Sequence, residues 1–271
     1  MSLSVNTNVG AMVALQNLNK TNGMLEQTQL SITTGLRVNG PKDDASTFAI
    51  TQNMRGDIAG LGAVKTALAN GEATINVAIE AGQSIADMLV EMKAKVVQAN
   101  QAGLDSASRS SLHNDFVALR DQVATIVATA EFNGTNLIGI SASATSVLST
   151  VDGSTIAVSA QKMDTTTLGI NTSSLATSAN AATALTAIDS AITSVSDKLA
   201  ALGSVAKRIE VQAGFTTKLQ DILRAGVGNL VDADLAEESA KLQALQIKQQ
   251  LGVQALSIAN AGPQAILGLF G

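Results

Sequence analysis

Apolar residues recur every seven positions near both ends of the chain. Near the start, the repeat comprises Ala11, Leu18, Leu25 and Ile32. Near the end, there are two adjoining frames. One comprises Leu235, Leu242, Leu256 and Phe270, and the other comprises Leu245, Ala259 and Ile266. A seven-residue repeat places an apolar seam along one side of a helix, and such a seam needs a partner helix. The two terminal segments are therefore predicted to be helices that pair with each other or with further copies of the chain.

A longer apolar repeat runs without proline from Ala45 to Ala102. One heptad position holds Met54, Leu61, Leu68, Ile75, Gly82, Leu89 and Val96, and the position three residues later holds Val64, Gly71, Ala78, Ile85, Met92 and Ala99. A single helix here would be roughly 80 Å long, because an α-helix rises about 1.5 Å per residue. Such a length is typical of a coiled coil rather than of a globular core helix.

Two further helices are predicted beyond Gly103. The first carries Leu112, Phe116, Leu119, Val123 and Ile126 and ends near the turn at Asn133-Gly134, and the second carries Ile188, Val195, Leu202, Ile209, Leu223 and Leu230. Gly226 and Gly228 are expected to loosen the chain at the end of the second helix. Asp234 then stands three residues before Glu237, a spacing that resembles a capping box and predicts the start of the last helix.

The segment between these two helices has a different pattern. Residues 149–151 and 154–158 are rich in Ser, Thr, Val and Ile, and Asp152-Gly153 lies between them. This arrangement predicts a β-hairpin with a tight turn. It is the single credible strand region in the sequence.

The composition disfavours several functional classes. The chain of 271 residues has no Cys, Trp or Tyr and has one His, so a disulfide framework and thiolate metal sites are excluded. The net charge of −5 disfavours a nucleic-acid partner. A cleavable signal peptide needs a continuous apolar segment, but the early apolar residues here are interrupted by Asn6, Asn8 and Gln16. No apolar run in the sequence is long enough to span a membrane. By these ordinary rules the chain would be cytoplasmic.

Candidate catalytic and binding residues are few. His113 is the only histidine, and the sequence has no glycine-flanked nucleophile of the kind that a Ser-His-Asp site needs. We therefore expect His113 to lie on the surface of a helix. Asp43 and Asp44 are predicted to supply negative charge at a helix N-terminus rather than to bind a cation. The pairs Gly60/Gly62 and Gly226/Gly228 lack the third glycine of a dinucleotide-binding motif. We therefore expect no enzymatic activity, no cofactor and no metal.

Four motifs, in order, carry a resemblance to bacterial flagellins that covers nearly the whole chain. They are residues 4–8 (SVNTN), residues 30–39 (LSITTGLRVN) followed by Asp43-Asp44-Ala45, residues 131–134 (EFNG) with Leu137, and the C-terminal set Asp232-Ala233-Asp234, Glu237-Glu238-Ser239, Gln249, Gln254-Ala255-Leu256 and Ala259-Asn260. The short length resembles the minimal flagellins of Caulobacter-like α-proteobacteria. One departure is Gly262-Pro263, which is expected to interrupt the last helix.

The resemblance implies a fold dominated by α-helices. Residues 1–37 and 233–271 would form a terminal coiled-coil domain at the inner tube of a filament, and residues 38–232 a long antiparallel coiled-coil rod with a small β-hairpin region at 139–177. Gly35, Arg37, Asn39, Asp43 and Asp44 would form the motif that joins the two domains.

The resemblance also implies the function. The chain would be a structural subunit of the bacterial flagellar filament, a hollow helical propeller for swimming. The alternative is a hook–filament junction protein, which has flagellin-like ends. The polymerisation interface would comprise Val9, Ala11, Leu18, Leu25, Ile32, Leu235, Leu242, Leu245, Ile247, Leu251, Leu256, Ile258 and Ala259, with Ile247, Leu251 and Ile258 on a second apolar face of the last helix.

Partners and location follow from the same resemblance. The chain would assemble with itself and with flagellin paralogues, and would meet a filament cap protein, hook-associated proteins and a cytosolic export chaperone, but no nucleic acid or membrane. It would be extracellular, in the flagellum, after leaving the cell unfolded through the flagellar type III system without a cleaved signal peptide. Its terminal helices would fold on assembly.

Overall fold

The computed structural model describes residues 7–267, with side chains described as far as Ala261. In chain order the elements are α1 (Val9–Thr34), α2 (Ala45–Ala99), α3 (Ser106–Thr129), β1 (Thr145–Leu148), β2 (Thr155–Val158), α4 (Ser178–Val231) and α5 (Leu235–Leu267). The predicted fold, dominated by helices with one small antiparallel hairpin, is confirmed. Residues 4–6 of the first motif and Phe270 lie outside the described residues, as does the side chain of Ile266.

The chain divides into two compact units. One comprises Asp57–Asp221, and the other comprises Met1–Gly56 together with Ile222–Gly271. The divisions fall inside α2 and α4, so each of these helices contributes to both units.

The core of the Asp57–Asp221 unit is an aliphatic seam formed by α2, α3, α4 and the hairpin. The α2 heptad predicted from sequence is buried from Leu61 onward, and Leu68, Ile75, Ile85 and Leu89 are fully inaccessible to solvent. Phe116, Ile188, Val195 and Ile209 join the same cluster, which confirms the predicted apolar positions on α3 and α4. A narrow seam suits a chain with so few aromatic residues, since short aliphatic side chains let helices approach closely.

Side-chain caps begin the helices of this seam, and a buried arginine closes the end of α2. Asp105 accepts the backbone N–H of Ser108 at 3.1 Å and starts α3. The buried Arg109 donates to the carbonyl oxygens of Ala99, Gln101 and Leu104, where α2 has run out of its own N–H partners. Arg109 was not identified from sequence, because nothing in its spacing distinguishes it from a solvated arginine.

The hairpin exists, but its first strand was placed wrongly. The pairing runs from Thr145 opposite Val158 to Leu148 opposite Thr155, so β1 precedes the predicted residues 149–151. Val151 lies in the turn, which Gly153 closes by donating to Thr150 at 3.3 Å with a φ of +89°. The Ser149 hydroxyl and N–H both donate to the carbonyl of Ser154, and these bonds hold a longer turn than Asp-Gly alone predicts.

Two predicted helix breaks are also wrong. α4 continues through Gly226 and Gly228 to Val231. A Cβ at Gly226 would lie 3.1 Å from Met54 Cε, so this glycine permits close packing rather than loosening the helix. α5 likewise continues through Gly262 and Pro263 to Leu267. The Ala259 carbonyl, which loses its usual N–H donor at Pro263, accepts a hydrogen bond from Asn8 at the N-cap of α1.

Candidate functional site

The terminal helices α1 and α5 pack against each other, as their matching seams predict. The faces in contact are marked by partial or full burial of Ala11, Leu18, Leu25 and Ile32 on α1 and of Leu242, Leu245, Leu256 and Ala259 on α5. Eight of the thirteen residues predicted for polymerisation thus lie within the helix pair of one chain. Their first role is to stabilise that pair.

Polar side chains fix the register of the pair. The Asn8 amide donates to the Ala259 carbonyl at 2.7 Å, and the Gln249 amide donates to Asn22 Oδ1 at 2.9 Å. Gly252 allows close approach at the middle, since a Cβ there would lie 3.2 Å from Leu18 Cδ1. These contacts were missed from sequence, because a heptad search scores only apolar positions.

The other five predicted interface residues form a separate, solvent-exposed set. Val9, Leu235, Ile247, Leu251 and Ile258 have exposed fractions between 50% and 74%. The structure therefore divides the predicted interface in two, an internal seam and an outer apolar face. The predicted second face of the last helix, Ile247, Leu251 and Ile258, belongs wholly to the outer one.

Further apolar residues of the terminal helices are exposed but were not predicted. They are Met12, Val13, Leu15, Met24 and Leu30 on α1 and Val253 on α5. The signal that could have found them is the apolar content of α1 outside its heptad. A soluble single helix pair would carry polar residues at such positions.

The segment after α1 ties this helix to the end of α4. Gly35, with φ of +71°, caps α1 and turns the chain, and its carbonyl accepts the N–H of Ala233 at 2.9 Å. The Arg37 guanidinium donates to the Leu230 carbonyl at 2.6 Å, and the Arg37 backbone N–H donates to the Val231 carbonyl at 2.7 Å. Three predicted motif residues, Gly35, Arg37 and Asn39, lie in this segment, and Asn39 donates to the Leu36 carbonyl at 3.0 Å.

The two carboxylates that follow have different tasks. Asp43 accepts the backbone N–H groups of Asn39 and Gly40 at 2.9 and 3.2 Å, which holds the turn. Asp44 caps α2 through the N–H groups of Ser46 and Thr47 and the Thr47 hydroxyl, which donates at 2.6 Å. Hydrogen bonds from Thr47 hold the pKa of Asp44 below its usual range. The contacts of Asp44 agree with the charge at a helix N-terminus predicted for this pair, whereas Asp43 serves the preceding turn.

The last helix begins as predicted at Asp234. Its carboxylate accepts the N–H groups of Ala236 and Glu237 at 2.9 and 3.2 Å, as an N-cap does. Glu237 and Glu238 add negative charge in the first turn, where the helix dipole favours it.

Candidate chemistry elsewhere is structural. His113 lies on α3 as predicted but is half-buried, and its Nδ1 accepts the N–H of Leu175 at 3.3 Å. Within residues 7–267 no group of three or more His, Cys, Asp or Glu side chains could hold a metal ion. Among the described helices, none combines the length and apolar character needed to cross a membrane.

Two family models match the chain. Residues 5–145 match the model of the bacterial flagellin N-terminal helical region, and residues 185–270 match that of the bacterial flagellin C-terminal helical region. Among curated proteins, flagellin FljM of Caulobacter vibrioides is 46% identical over 268 residues, covering 98% of both chains. Flagellin C of Rhizobium meliloti is 33% identical over 320 residues, covering 98% of this chain and 99% of the other.

Solved structures share the fold. A Bacillus cereus flagellin aligns with a TM-score of 0.50 and 24% identity over 54% of this chain and 86% of that one. A protein described as a putative flagellar hook-associated protein from Vibrio parahaemolyticus aligns with a TM-score of 0.59 and 16% identity over 70% of this chain and 100% of that one. At these identities the likeness concerns the fold alone.

Proposed function

Because this chain belongs to the bacterial flagellin family and is a structural subunit of the flagellar filament, we propose that the outer apolar face of its terminal helices forms the contact between neighbouring subunits. The observation that carries this proposal is the exposure of Val9, Leu235, Ile247, Leu251 and Ile258 on helices whose opposite faces are already paired. The inner seam, from Ala11 and Leu18 to Leu256 and Ala259, supports assembly indirectly by presenting that face.

The physical driving force is the burial of apolar surface. Burying one large aliphatic side chain stabilises an assembly by about 1.5–3 kcal/mol. The exposed apolar residues of α1 differ in type and order from those of α5. One subunit can therefore contact its neighbour through a different surface from the one that the neighbour presents. A contact of this head-to-tail kind generates an open helical polymer when its rotation does not close.

The test replaces an outer apolar residue with a charge. Leu251→Asp should abolish sedimentable filaments, because a carboxylate would be desolvated at the subunit contact. Circular dichroism of the monomer should stay unchanged, since Leu251 is 57% exposed. Gln250→Asp places the same charge at the neighbouring exposed polar position and should still assemble. Normal filaments from Leu251→Asp would contradict the proposal.

We also propose a division of labour along the chain. Residues 1–37 and 233–271 form the inner-tube domain, residues 38–232 form the second domain with its hairpin region at 139–177, and Gly35, Arg37, Asn39, Asp43 and Asp44 join them. The hydrogen bonds from Arg37 to the carbonyls of Leu230 and Val231 support a joining role, because they connect the predicted joining motif to the end of α4.

The filament is extracellular, and we propose that the chain reaches it through the flagellar type III system without a cleaved signal peptide. Asn8 caps α1 by accepting the N–H of Ala11 at 3.0 Å, so the folded unit reaches at least to this residue. Self-assembly with paralogues, and contacts with a cap protein, hook-associated proteins and an export chaperone, belong to the same proposal.

Flagellins are structural proteins, and we propose that this chain has no enzymatic activity. The lone His113 supports this, since its Nδ1 is engaged by the backbone of Leu175. The junction role is the weaker alternative, because the likeness to a hook-associated protein is one of fold at 16% identity.

A further inference from the structure

We propose that Met12 and Met24 of α1 are sites of reversible oxidation, at which a peroxide converts each side chain to methionine sulfoxide and thereby prevents the subunit from joining a filament. The inference rests on the proposed function, since it takes the exposed side of α1 to be covered by neighbouring subunits after assembly. It adds a covalent modification, and the chemical class of its reagent, to that surface.

The composition leaves methionine as the readily oxidised side chain of this protein. The chain has seven Met and no Cys, Trp or Tyr. Its single histidine, His113, is half-buried and accepts the N–H of Leu175. The thioether sulfur atoms are therefore the groups that a mild two-electron oxidant attacks first.

The fold exposes two of the six methionines that the structure describes, half-buries two and fully buries two. In that order they are Met12 and Met24, Met54 and Met88, and Met92 and Met163. Met12 is 55% exposed and Met24 is 45% exposed. Met24 also lines a surface cavity of about 380 Å³ together with Leu18 and Gly252, so a molecule as small as hydrogen peroxide reaches it from solvent. Because an oxidant must touch the sulfur that it oxidises, these two methionines should react before the others.

Both exposed methionines lie beside the seam through which α1 packs on α5. Met12 follows the seam residue Ala11, and Met24 precedes the seam residue Leu25. One residue corresponds to a rotation of about 100° around an α-helix. The two methionines therefore lie on opposite sides of the seam, and neither is used to pair the terminal helices.

Each exposed methionine has exposed apolar neighbours on the same side of α1. Val9 and Leu15 lie three residues before and after Met12, and Val13 lies eleven residues, or about three turns, before Met24. These three neighbours are 47–66% exposed. Met12 and Met24 are thus parts of apolar stripes, where an unbranched and polarisable side chain adapts well to a partner surface.

Oxidation makes these positions polar. One peroxide oxygen bonds to the sulfur as the O–O bond breaks, the sulfur is oxidised by two electrons, and the second peroxide oxygen leaves as water. Water solvates the sulfoxide oxygen in a free subunit, but an apolar contact would bury it without a hydrogen-bond donor. The concentration of unassembled subunit at equilibrium should therefore rise about tenfold for each sulfoxide.

The modification is reversible. Methionine sulfoxide reductases return each of the two sulfoxide epimers to the thioether. A dithiol supplies the two electrons and becomes a disulfide, and the sulfoxide oxygen leaves as water. Repair of the two side chains should restore the original affinity of the subunit for the filament.

The first experiment treats the free subunit with hydrogen peroxide and measures assembly by sedimentation. Peptide mass spectrometry should find one added oxygen first at Met12 and Met24 and none at the buried Met92 and Met163. Subunits that carry both sulfoxides should leave about a hundredfold more protein unassembled, and the two reductases with dithiothreitol should reverse this. In preformed filaments, Met12 and Met24 should oxidise more slowly than in free subunits, because the contact covers them.

Two double variants show which sulfur atoms matter. Met12→Leu with Met24→Leu should assemble normally and should keep assembling after peroxide treatment, since leucine has a similar volume and no sulfur. Met54→Leu with Met88→Leu is the matched control, which keeps both exposed sulfur atoms and should stay sensitive to peroxide.

A third double variant needs no oxidant. Met12→Gln with Met24→Gln places polar amides of similar length at the two positions and should assemble poorly. Its circular dichroism as a monomer should match that of the unmodified chain, because both positions are exposed.

Loss of assembly in the peroxide-treated Met12→Leu, Met24→Leu chain would overturn this proposal, because the damage would then lie at another residue. Normal assembly of subunits with both sulfoxides, or equal oxidation of these methionines in filaments and free subunits, would also overturn it. The proposed function fails on different results, namely no filaments from the unoxidised chain or normal filaments from Leu251→Asp.

Discussion

The side-chain amide of Asn8 donates a 2.7 Å hydrogen bond to the carbonyl oxygen of Ala259, at the far end of the other terminal helix. Ala259 lies four residues before Pro263, which has no N–H, so this carbonyl lacks the donor that an α-helix normally supplies to it. Asn8 also caps α1 through the N–H of Ala11. One residue thus starts the first helix and satisfies the polar group that a proline frees in the last.

This relationship predicts that Asn8 and Pro263 are energetically coupled. Asn8→Ala should destabilise the α1–α5 pair by about 1 kcal/mol for the lost cap and about 1 kcal/mol more for the orphaned carbonyl. In a Pro263→Ala background, the new N–H pairs with Ala259, so only the cap contribution should remain. Amide hydrogen exchange of α1 and α5 measures these opening free energies.

The control for the coupling is Asn19→Ala, at an exposed position of α1. It should change the exchange of α5 by little. If Asn8→Ala lowered the opening free energy equally in the unmodified chain and in the Pro263→Ala chain, the Ala259 contact would contribute nothing to stability.

A second prediction concerns the joining segment. Arg37→Gln removes the 2.6 Å bond to the Leu230 carbonyl but keeps the backbone bond to Val231. A hydrogen bond to a charged donor contributes about 1.5–3 kcal/mol, and solvent exposure of Arg37 places the expected loss at the lower end. Faster amide exchange at the end of α4 should report it, while Lys42→Gln, an exposed neighbour, should have no effect.

A third prediction compares two helix glycines. A Cβ at Gly71 would lie 2.5 and 2.7 Å from the two methyl carbons of Val147, and a β-branched residue in a paired strand has no room to turn away. Gly71→Ala should therefore destabilise the chain by about 1–2 kcal/mol in urea unfolding, despite the better helix propensity of alanine.

Gly203→Ala is the matched change, since no atom lies within 4 Å of the added Cβ. It should stabilise the chain by up to about 1 kcal/mol. Stabilisation by both substitutions would mean that the hairpin does not pack on α2 as described.

A fourth prediction is a pH dependence that arises at Asp164. Burial of this carboxyl raises its pKa, but hydrogen bonds from the Thr167 hydroxyl at 2.6 Å and the Thr167 N–H at 3.0 Å bring the pKa of Asp164 below its usual range. A pKa lowered by folding stabilises the folded chain above the unfolded value of about 3.9, and this stabilisation is lost as the pH falls through the folded pKa.

Stability measured by urea unfolding should therefore fall below about pH 4, and Asp164→Asn should make that fall less steep. Thr167→Val removes the hydroxyl donor and should move the loss to higher pH. An unchanged pH profile in both variants would contradict the role of this pair.

Much of the fold was predictable from periodicity alone. The α2 heptad from Leu61 to Val96 is buried as predicted, since a sustained seven-residue repeat leaves a helix only one apolar side to bury. The caps at Asp44 and Asp234 were also predictable, because N-cap chemistry acts within a few residues.

The errors share one physical cause. Gly226 and Pro263 were expected to break helices on local propensity, and Val151 was assigned to a strand on its β-branched side chain. Each meets a partner distant in sequence, namely Met54 for Gly226, Asn8 for the carbonyl freed by Pro263, and Gly60 of α2 for the side chain of Val151. Tertiary contacts routinely override propensities of about 1–3 kcal/mol.

The sequence by itself determined that both ends of this protein are helices with unsatisfied apolar seams, because a seven-residue repeat is a local and additive signal. Only the tertiary structure decided which apolar residues serve the subunit itself and which remain for its neighbours. Leu235 and Leu242 share one heptad frame of the last helix, yet Leu235 is 50% exposed while Leu242 is half-buried against α1. That distinction depends on how two helices far apart in sequence are rotated against each other, and no local pattern encodes it.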